Sequence, residues 1–254
     1  SVAHLHQEHA TTLEEAFEGS GRPVFQLAIV NSWAKAAEEL RGTRYSLEVR
    51  AKGEIEFHAD RRGVWEVFEM PKEGEVYTFG CDVASGHERQ SDGRKEADFS
   101  VTIIGNAYTG KMVAKMRAHI FPNLYGWEIL KAAHWYNDAR GLPEINNDGG
   151  TLVQTMLDTD ADWGSGHDCL LTTSRVTKTE AGPELRKQYG YFTSKNSKPR
   201  LLKALMDFLD EWGKHGKDDP RKSPFDLETL QEITRYVYKD RGTDAERGHD
   251  DCVM

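Results

Sequence analysis

The sequence predicts a mixed α/β fold in which three antiparallel strands are followed by parallel strands, with helices on both faces of the sheet. Three consecutive segments, 76–82, 99–105 and 111–120, have strand character. The third alternates between apolar and other residues with the period of two that a half-buried strand shows. After Pro122 the apolar residues change to helical spacing, and helical segments then alternate with short apolar runs.

The region before these strands has weaker signals. Residues 32–40 (SWAKAAEEL) predict a short helix, and residues 45–58 and 63–71 predict short strands. A proline followed by EGE then suggests a boundary. We therefore expect residues 1–74 to form a region that precedes a domain over residues 75–254.

The three central segments predict an antiparallel meander. The first, VYTFGCD, ends in Asp82, the second is FSVTIIG, and a turn with Asn106 and Gly110 leads to the third, KMVAKMRAHI. Aspartate is depleted in strands, so Asp82 at a strand end calls for an explanation. In the third segment, one face carries Met112, Ala114, Met116, Ala118 and Ile120, and the other carries Lys111, Lys115, Arg117 and His119 together with Val113.

Helical periodicity dominates the rest of the chain. In the first helix, Leu124, Trp127 and Leu130 share one predicted face. The strongest pattern is KPRLLKALMDFLDEW, in which a proline falls in the first turn and apolar residues form a stripe. Further helices are predicted over 149–157 and 226–238, a short strand over 142–146, and another strand within 168–174 or 188–194.

Composition restricts the functions that this chain can have. Apolar residues make up 38% and charged residues 30% of the 254 residues, and no run is long enough for a membrane helix. The three cysteines are far apart, which indicates neither a disulfide framework nor a zinc knuckle. No secretory signal is visible. We expect a protein without a membrane-spanning segment in a reducing compartment.

Acidic residues stand at three element ends. Asp82 ends the first strand, Glu144 lies in the short strand LPEIN, and Asp250 and Asp251 open the last segment. Neighbouring strands can bring two of these carboxylates together, and such a group can hold one or two Mg²⁺ or Mn²⁺ ions. The spacing leaves a second interpretation open, in which Asp82 caps a loop, Glu144 is solvated and the last pair begins a helix.

Four blocks occur in an order that resembles a known family. They are YTFGCDVASG with DFSVTIIG, then PEINNDGG, then YGYFTSKNSKPRLLKAL, and then GHDDCVM. In this order they resemble the C-terminal nuclease domain of the large terminase subunits of tailed bacteriophages, over about residues 70–254. The segment TLEEAFEGSGRPVF also resembles the stretch that closes the ATPase domain in that family.

The resemblance implies an RNase H-like fold and a metal-dependent endonuclease that cuts double-stranded concatemeric viral DNA with two Mg²⁺ or Mn²⁺ ions. Asp82 matches the first metal-binding aspartate, which bridges both ions. Glu144 matches the acid of the second strand-end motif. Asp250 matches the third acid, and Asp251 stands beside it as a further ligand. Asp98 matches an acid that follows the first loop, and its role stays open.

The sequence also departs from a whole terminase subunit. It contains no GxxxxGK[ST] phosphate-binding loop. We therefore expect that the ATPase part is absent and that residues 1–74 are a linker or remnant that follows it. Through the resemblance, the partners are double-stranded DNA, the small terminase subunit and the portal or procapsid. The location implied is the cytoplasm of the host cell.

A basic stretch within this acidic chain predicts where DNA binds. Residues 175–203 contain eight basic side chains and two acidic ones, although the whole chain has a net charge of −9. Such a patch fits a phosphate backbone and predicts little sequence preference. A solvated charged surface is the alternative. The candidate DNA-binding residues are Lys178, Lys195, Lys198 and Arg200.

Two other functions remain open from the sequence. One is a DNA-binding or docking module of the packaging motor that does not cut in isolation. The other is a different RNase H-like nuclease, a junction resolvase or an RNase H. The GHDD ending and the SKNSKP block favour the terminase family over this last alternative.

Overall fold

The structure is a computed structural model, and it divides into two compact units. The sheet unit spans Arg41–Ser194. The helical unit combines the described residues before Arg41 with those from Lys195 onwards. The structure describes residues 22–50, 53–84, 89–91, 94–96, 99–161, 164–179, 182–216, 223–239 and 242–245.

Seven strands of the sheet unit form one mixed sheet. They are β2 Thr43–Val49, β3 Ile55–Ala59, β4 Trp65–Val67, β5 Tyr77–Asp82, β8 Ser100–Asn106, β9 Met112–Ala118 and β10 Arg140–Pro143. In the order β10-β5-β8-β9-β4-β2-β3, the first pair is parallel and every other pair is antiparallel. The predicted mixed α/β class and the predicted meander β5-β8-β9 are therefore confirmed.

The turn between β8 and β9 forms where the sequence predicts it. The Asn106 side-chain oxygen accepts hydrogen bonds from the backbone N–H groups of Tyr108 (2.9 Å) and Thr109 (3.0 Å). Gly110 then takes a φ of 69°, which glycine adopts without the steric cost that other residues have. These contacts hold the tight turn that joins β8 to β9.

Strand β9 is more buried than its alternation predicts. Val113 and Lys115 lie on the face that was expected to be solvated, and they are only 1% and 3% exposed. On the predicted apolar face, Met112, Ala114 and Met116 are buried, whereas Ala118 and Ile120 are half-buried. Both faces of β9 are covered in the middle of the sheet, so a strand in this position does not have one wet side.

The strands predicted before residue 74 belong to the same sheet as those after residue 75. Trp65 on β4 lies opposite Met116 on β9, and β4 in turn pairs with β2. The boundary of the sheet unit on this side falls before Arg41. The predicted role of residues 1–74, a linker or remnant after an ATPase domain, stays a prediction.

Helix α2 (Pro122–Trp135) packs on the meander. Its buried side chains include Tyr125, Ile129 and Leu130, and burial of such side chains stabilises the fold by about 1.5–3 kcal/mol each. Leu124 and Trp127, predicted to share the face of Leu130, are instead 55% and 51% exposed. The prediction of that face was wrong. The buried stripe runs through Tyr125, Ile129 and Leu130, so Leu130 is the only one of the three predicted residues that lies on it.

Short segments from later in the chain form hydrogen-bonded bridges to β10 and to Glu144, which follows it. Helix α3 (Gly149–Asp158) packs beside α2, and single parallel bridges join Gly141 to Leu170 and Glu144 to Tyr191.

The remaining elements of the sheet unit are β6 Arg89–Ser91, β7 Arg94–Glu96, β11 Asp160–Ala161, β12 Gly164–Ser165, α4 Gly166–Cys169, β13 Thr172–Thr179 and β14 Gly182–Tyr189. The further strand predicted here is thus a separate hairpin, formed by β13 and β14.

The helical unit has its own apolar core. Its elements are β1 Arg22–Pro23, α1 Leu27–Ala37, α5 Lys198–Gly216, α6 Leu227–Thr234, β15 Tyr236–Lys239 and β16 Gly242–Ala245. Leu202 and Leu209 from α5, Leu230 from α6 and Trp33 from α1 pack together. Helix α6 is shorter than the pattern predicts, because the chain enters β15 at Tyr236 and pairs with β1 and β16.

Among the described residues, none of the helices combines the length and the apolar character that crossing a lipid bilayer requires.

Candidate active site

Two of the predicted acids lie side by side at one edge of the sheet. Asp82 is the last residue of β5, and Glu144 directly follows β10. The parallel register places Pro143 beside Cys81, and the Glu144 N–H donates to the Cys81 carbonyl oxygen at 2.9 Å. Glu144 therefore follows in the same register as Asp82. The predicted juxtaposition of these two strand ends is present in the fold.

The two carboxylates share one face of the sheet. Successive residues of a strand point to opposite faces, and Cys81 and Pro143 are both buried. Their successors Asp82 and Glu144 point to the other side, and both are only partly buried. Two carboxylates on one partly open face provide negatively charged oxygens, which are the ligands that hard divalent cations prefer.

Hydrogen bonds beneath the site hold the end of β5. The Tyr125 hydroxyl from α2 donates to the Asp82 carbonyl oxygen at 3.4 Å and lies 2.6 Å from the Thr102 hydroxyl oxygen. The Ala84 N–H donates to the Ser100 hydroxyl oxygen at 3.0 Å. These contacts anchor the backbone at Asp82 and just after it. No local pattern signals Tyr125 in this role, because the contact joins residues far apart in the chain.

Glu144 is held from the opposite side of the sheet edge. The Tyr191 N–H donates to Pro143 O at 2.8 Å, and the Ile145 N–H donates to Tyr191 O at 2.9 Å. The Asn146 amide group donates to Thr193 O at 2.7 Å and accepts from the Thr193 N–H at 2.9 Å. The PEINN segment, which the sequence predicts as a site, is thus fixed by the segment that follows the hairpin.

Burial raises the pKa of both cysteines that the structure describes. Burial is the main reason why the pKa of Cys81 is raised well above its usual range, and the charges of Asp82 and Glu144 raise it further. Burial also raises the pKa of Cys169 to about 12. Because thiolates and not thiols bind metals, these two cysteines do not favour a soft-metal site beside the acids.

The remaining predicted ligands lie outside the described residues. This applies to Asp98, Asp250 and Asp251. Within the part of the chain that the structure describes, no group of three or more histidine, cysteine, aspartate or glutamate side chains is arranged to hold a metal ion. Of the predicted metal ligands, only Asp82 and Glu144 are among the described residues, and their role as ligands stays a prediction.

The predicted DNA-binding residues fall in two parts of the fold. Lys178 lies in β13, and its side chain is outside the described part of the structure. In the helical unit, Lys195 is exposed just before α5, and Arg200 is exposed in its first turn. Lys198 is half-buried, with its Nζ 5.4 Å from the centroid of the Tyr236 ring. Lys195 and Arg200 are therefore the candidates most open to a phosphate backbone.

The hairpin β13-β14 carries further basic residues that were not among the chosen candidates. Arg175 and Arg186 are directly opposite each other across the two strands. The Arg175 guanidinium lies 3.9 Å from the centroid of the Phe192 ring, and Arg186 forms an ion pair with Glu184 at 2.9 Å. Both arginines are exposed. The charge of the basic stretch is thus divided between the hairpin and α5.

Comparison with known proteins finds similarity to solved structures but not to known sequences. No protein-family profile matches the sequence, and no curated protein does. The fold is similar to the crystal structure of the large terminase nuclease from thermophilic phage G20c with bound magnesium, with a TM-score of 0.51 and 16% identity over 87% of this chain and 92% of that chain. The cobalt-bound structure of the same nuclease matches with a TM-score of 0.50, 16% identity and the same coverage.

At this identity the similarity is one of fold. It confirms, at the level of fold, the resemblance to the terminase nucleases. These two terminase nuclease structures contain bound magnesium and bound cobalt, respectively.

Proposed function

We propose that this chain is a divalent-metal-dependent endonuclease of the phage terminase type, which cuts double-stranded concatemeric DNA during genome packaging. The observation that carries the proposal is the adjacency of Asp82 and Glu144 at the ends of a parallel strand pair. The similarity in fold to a terminase nuclease supports it. The natural setting would be the cytoplasm of an infected host cell, with the small terminase subunit and the portal or procapsid as partners.

In this proposal the carboxylates of Asp82 and Glu144 hold Mg²⁺ or Mn²⁺, and Asp250, with Asp251 and Asp98, completes the ligand set. Two such ions, when bound, activate a water molecule and stabilise the leaving oxygen of a phosphodiester. The contribution of the protein is to position the metal-binding carboxylates. Its paired strand ends keep two acidic groups at a fixed separation, so little reorganisation is needed when substrate arrives.

The test is cleavage of supercoiled plasmid with Mg²⁺ or with Mn²⁺, beside a reaction with EDTA. We expect nicked and then linear DNA that depends on the metal. Cleavage of RNA–DNA hybrids in preference to duplex DNA would instead favour an RNase H. DNA binding without cleavage under either metal would favour a docking module, in which the acids have a structural role.

Basic residues at the start of α5 are proposed to contact the DNA backbone. Replacing Lys195 and Lys198 together with glutamine should weaken duplex binding. It should also reduce the slope of log K against log salt concentration by about 0.9 for each phosphate that is no longer neutralised. Fluorescence anisotropy at several salt concentrations measures both effects.

The matched control for this pair is Lys214→Gln, because Lys214 is an exposed lysine in the last turn of the same helix and pairs with Glu211. This variant should keep the parent slope. An unchanged slope in the double variant would move the DNA path away from α5. Since Lys198 contacts Tyr236, the thermal midpoint of the double variant must also be compared with that of the parent.

A further inference from the structure

An arginine shares the sheet face of the acid pair. Asp82 on β5 lies opposite Val101 on β8, and Val101 lies opposite Arg117 on β9. Residues in register on neighbouring strands point to the same face. Glu144 continues this row on the other side of Asp82. The ends of four neighbouring strands therefore carry two acids and one guanidinium in a single row, with the buried Val101 between Asp82 and Arg117.

Aromatic stacking orients the Arg117 side chain. Its guanidinium carbon lies 3.5 Å from the centroid of the Phe99 ring. Phe99 is stacked on His119, with ring centroids 3.8 Å apart and planes inclined by 28°. Stacking on a ring fixes the plane of a guanidinium, whose N–H groups lie along its edge and can form paired hydrogen bonds. The Nε atom of Arg117 is itself buried.

The spacing in this row suits a nucleic acid strand. Strands in a sheet lie about 4.8 Å apart, so the backbones of Asp82 and Arg117 are separated by about 10 Å. Consecutive phosphates of one DNA strand advance by about 3.4 Å along the helix axis. About three such steps span that separation, so a strand with one phosphate at the acids can place another phosphate, within about three nucleotides, at Arg117.

Charge explains what this arrangement can do. Two carboxylates repel a phosphodiester until a cation neutralises them. Arginine stays protonated at every physiological pH and can bind phosphate through two parallel hydrogen bonds. A fixed positive charge on the same face would attract the DNA backbone to the row of Glu144, Asp82 and Arg117, and it would orient the DNA strand along this row.

We propose that Arg117 binds a backbone phosphate within about three nucleotides of the one that is cut, and that Phe99 and His119 hold the Arg117 side chain in place for this contact. The proposal rests on the proposed nuclease function for its reaction, but its binding step can be measured separately. Arg117 is then a substrate-binding residue. The sequence alone shows it only as one of several basic residues on an alternating strand.

The experiment compares Arg117→Met and Arg117→Lys with the parent protein in duplex DNA binding, measured by anisotropy in EDTA with Asp82→Asn in every protein, which removes one of the two repelling charges. No cleavage occurs in that buffer, so the result stands even if the protein proves not to be a nuclease. We expect Arg117→Met to raise Kd by roughly 10- to 100-fold, the usual effect of losing a charged hydrogen bond. Arg117→Lys, which keeps the charge without the fork, should lose less.

Arg140→Met is the matched control, because Arg140 begins β10 at the end opposite to Glu144. It should bind DNA like the parent. Equal binding by Arg117→Met and Arg140→Met, with equal salt slopes, would overturn the proposal. If Arg117→Met does not fold, the lysine variant decides: several-fold weaker binding supports the contact, and parent-like binding overturns it.

Discussion

Asp82→Asn is expected to abolish metal-dependent cleavage and to leave the fold intact. Asparagine has nearly the same shape as aspartate but carries no negative charge, so it is a poor substitute as a ligand for a hard cation. Asp82 is partly exposed at a strand end, and its backbone carbonyl keeps the contact with Tyr125 in the variant. The rate should fall by at least about 10²-fold, as for the loss of one group that stabilises a transition state.

Initial rates of plasmid nicking in Mg²⁺ and in Mn²⁺ measure this effect, and circular dichroism with thermal unfolding reports on the fold. Asp207→Asn is the control, because Asp207 is an exposed aspartate on α5 that pairs with Lys203. It should cut like the parent. Normal nicking by a folded Asp82→Asn protein would mean that the acid pair is not where the metal acts.

Much of the fold follows from local patterns in the sequence. The alternation in β9, the turn chemistry at Asn106 and Gly110, and the apolar stripe of α5 each predict the element that is present. Asp82 also stands out locally, because an aspartate at the end of an apolar run opposes strand propensity. These signals need no knowledge of distant residues, which is why they can be interpreted without a structure.

The rest depends on contacts between distant parts of the chain. The parallel pairing of β10 with β5 brings Glu144 beside Asp82, and no local pattern announces a parallel partner. Lys115 looks solvated from its alternation, yet it is buried in the middle of the sheet. The row from Asp82 to Arg117 likewise follows from register, which neighbouring strands set together.

Two adjacent glycines provide the second large expected effect. Gly149 and Gly150 begin helix α3, just after the segment that carries Glu144. A Cβ atom on Gly149 would lie 2.0 Å from the Glu144 carbonyl oxygen, whereas a Cβ atom on Gly150 would have nothing within 4 Å. Because the obstacle is backbone, no side-chain rotation can relieve the clash. Either the helix or the Glu144 segment has to move.

Gly149→Ala should therefore lower the free energy of unfolding by about 1–3 kcal/mol, as overpacking does. It should also reduce plasmid nicking. Gly150→Ala should be neutral or more stable by less than about 1 kcal/mol, since alanine favours helix. Urea unfolding and nicking rates measure both variants, and equal behaviour would contradict the close approach. A Gly149→Ala protein that is folded but cuts poorly would link cleavage to the position of Glu144, because Gly150→Ala alters the same helix end without approaching that residue.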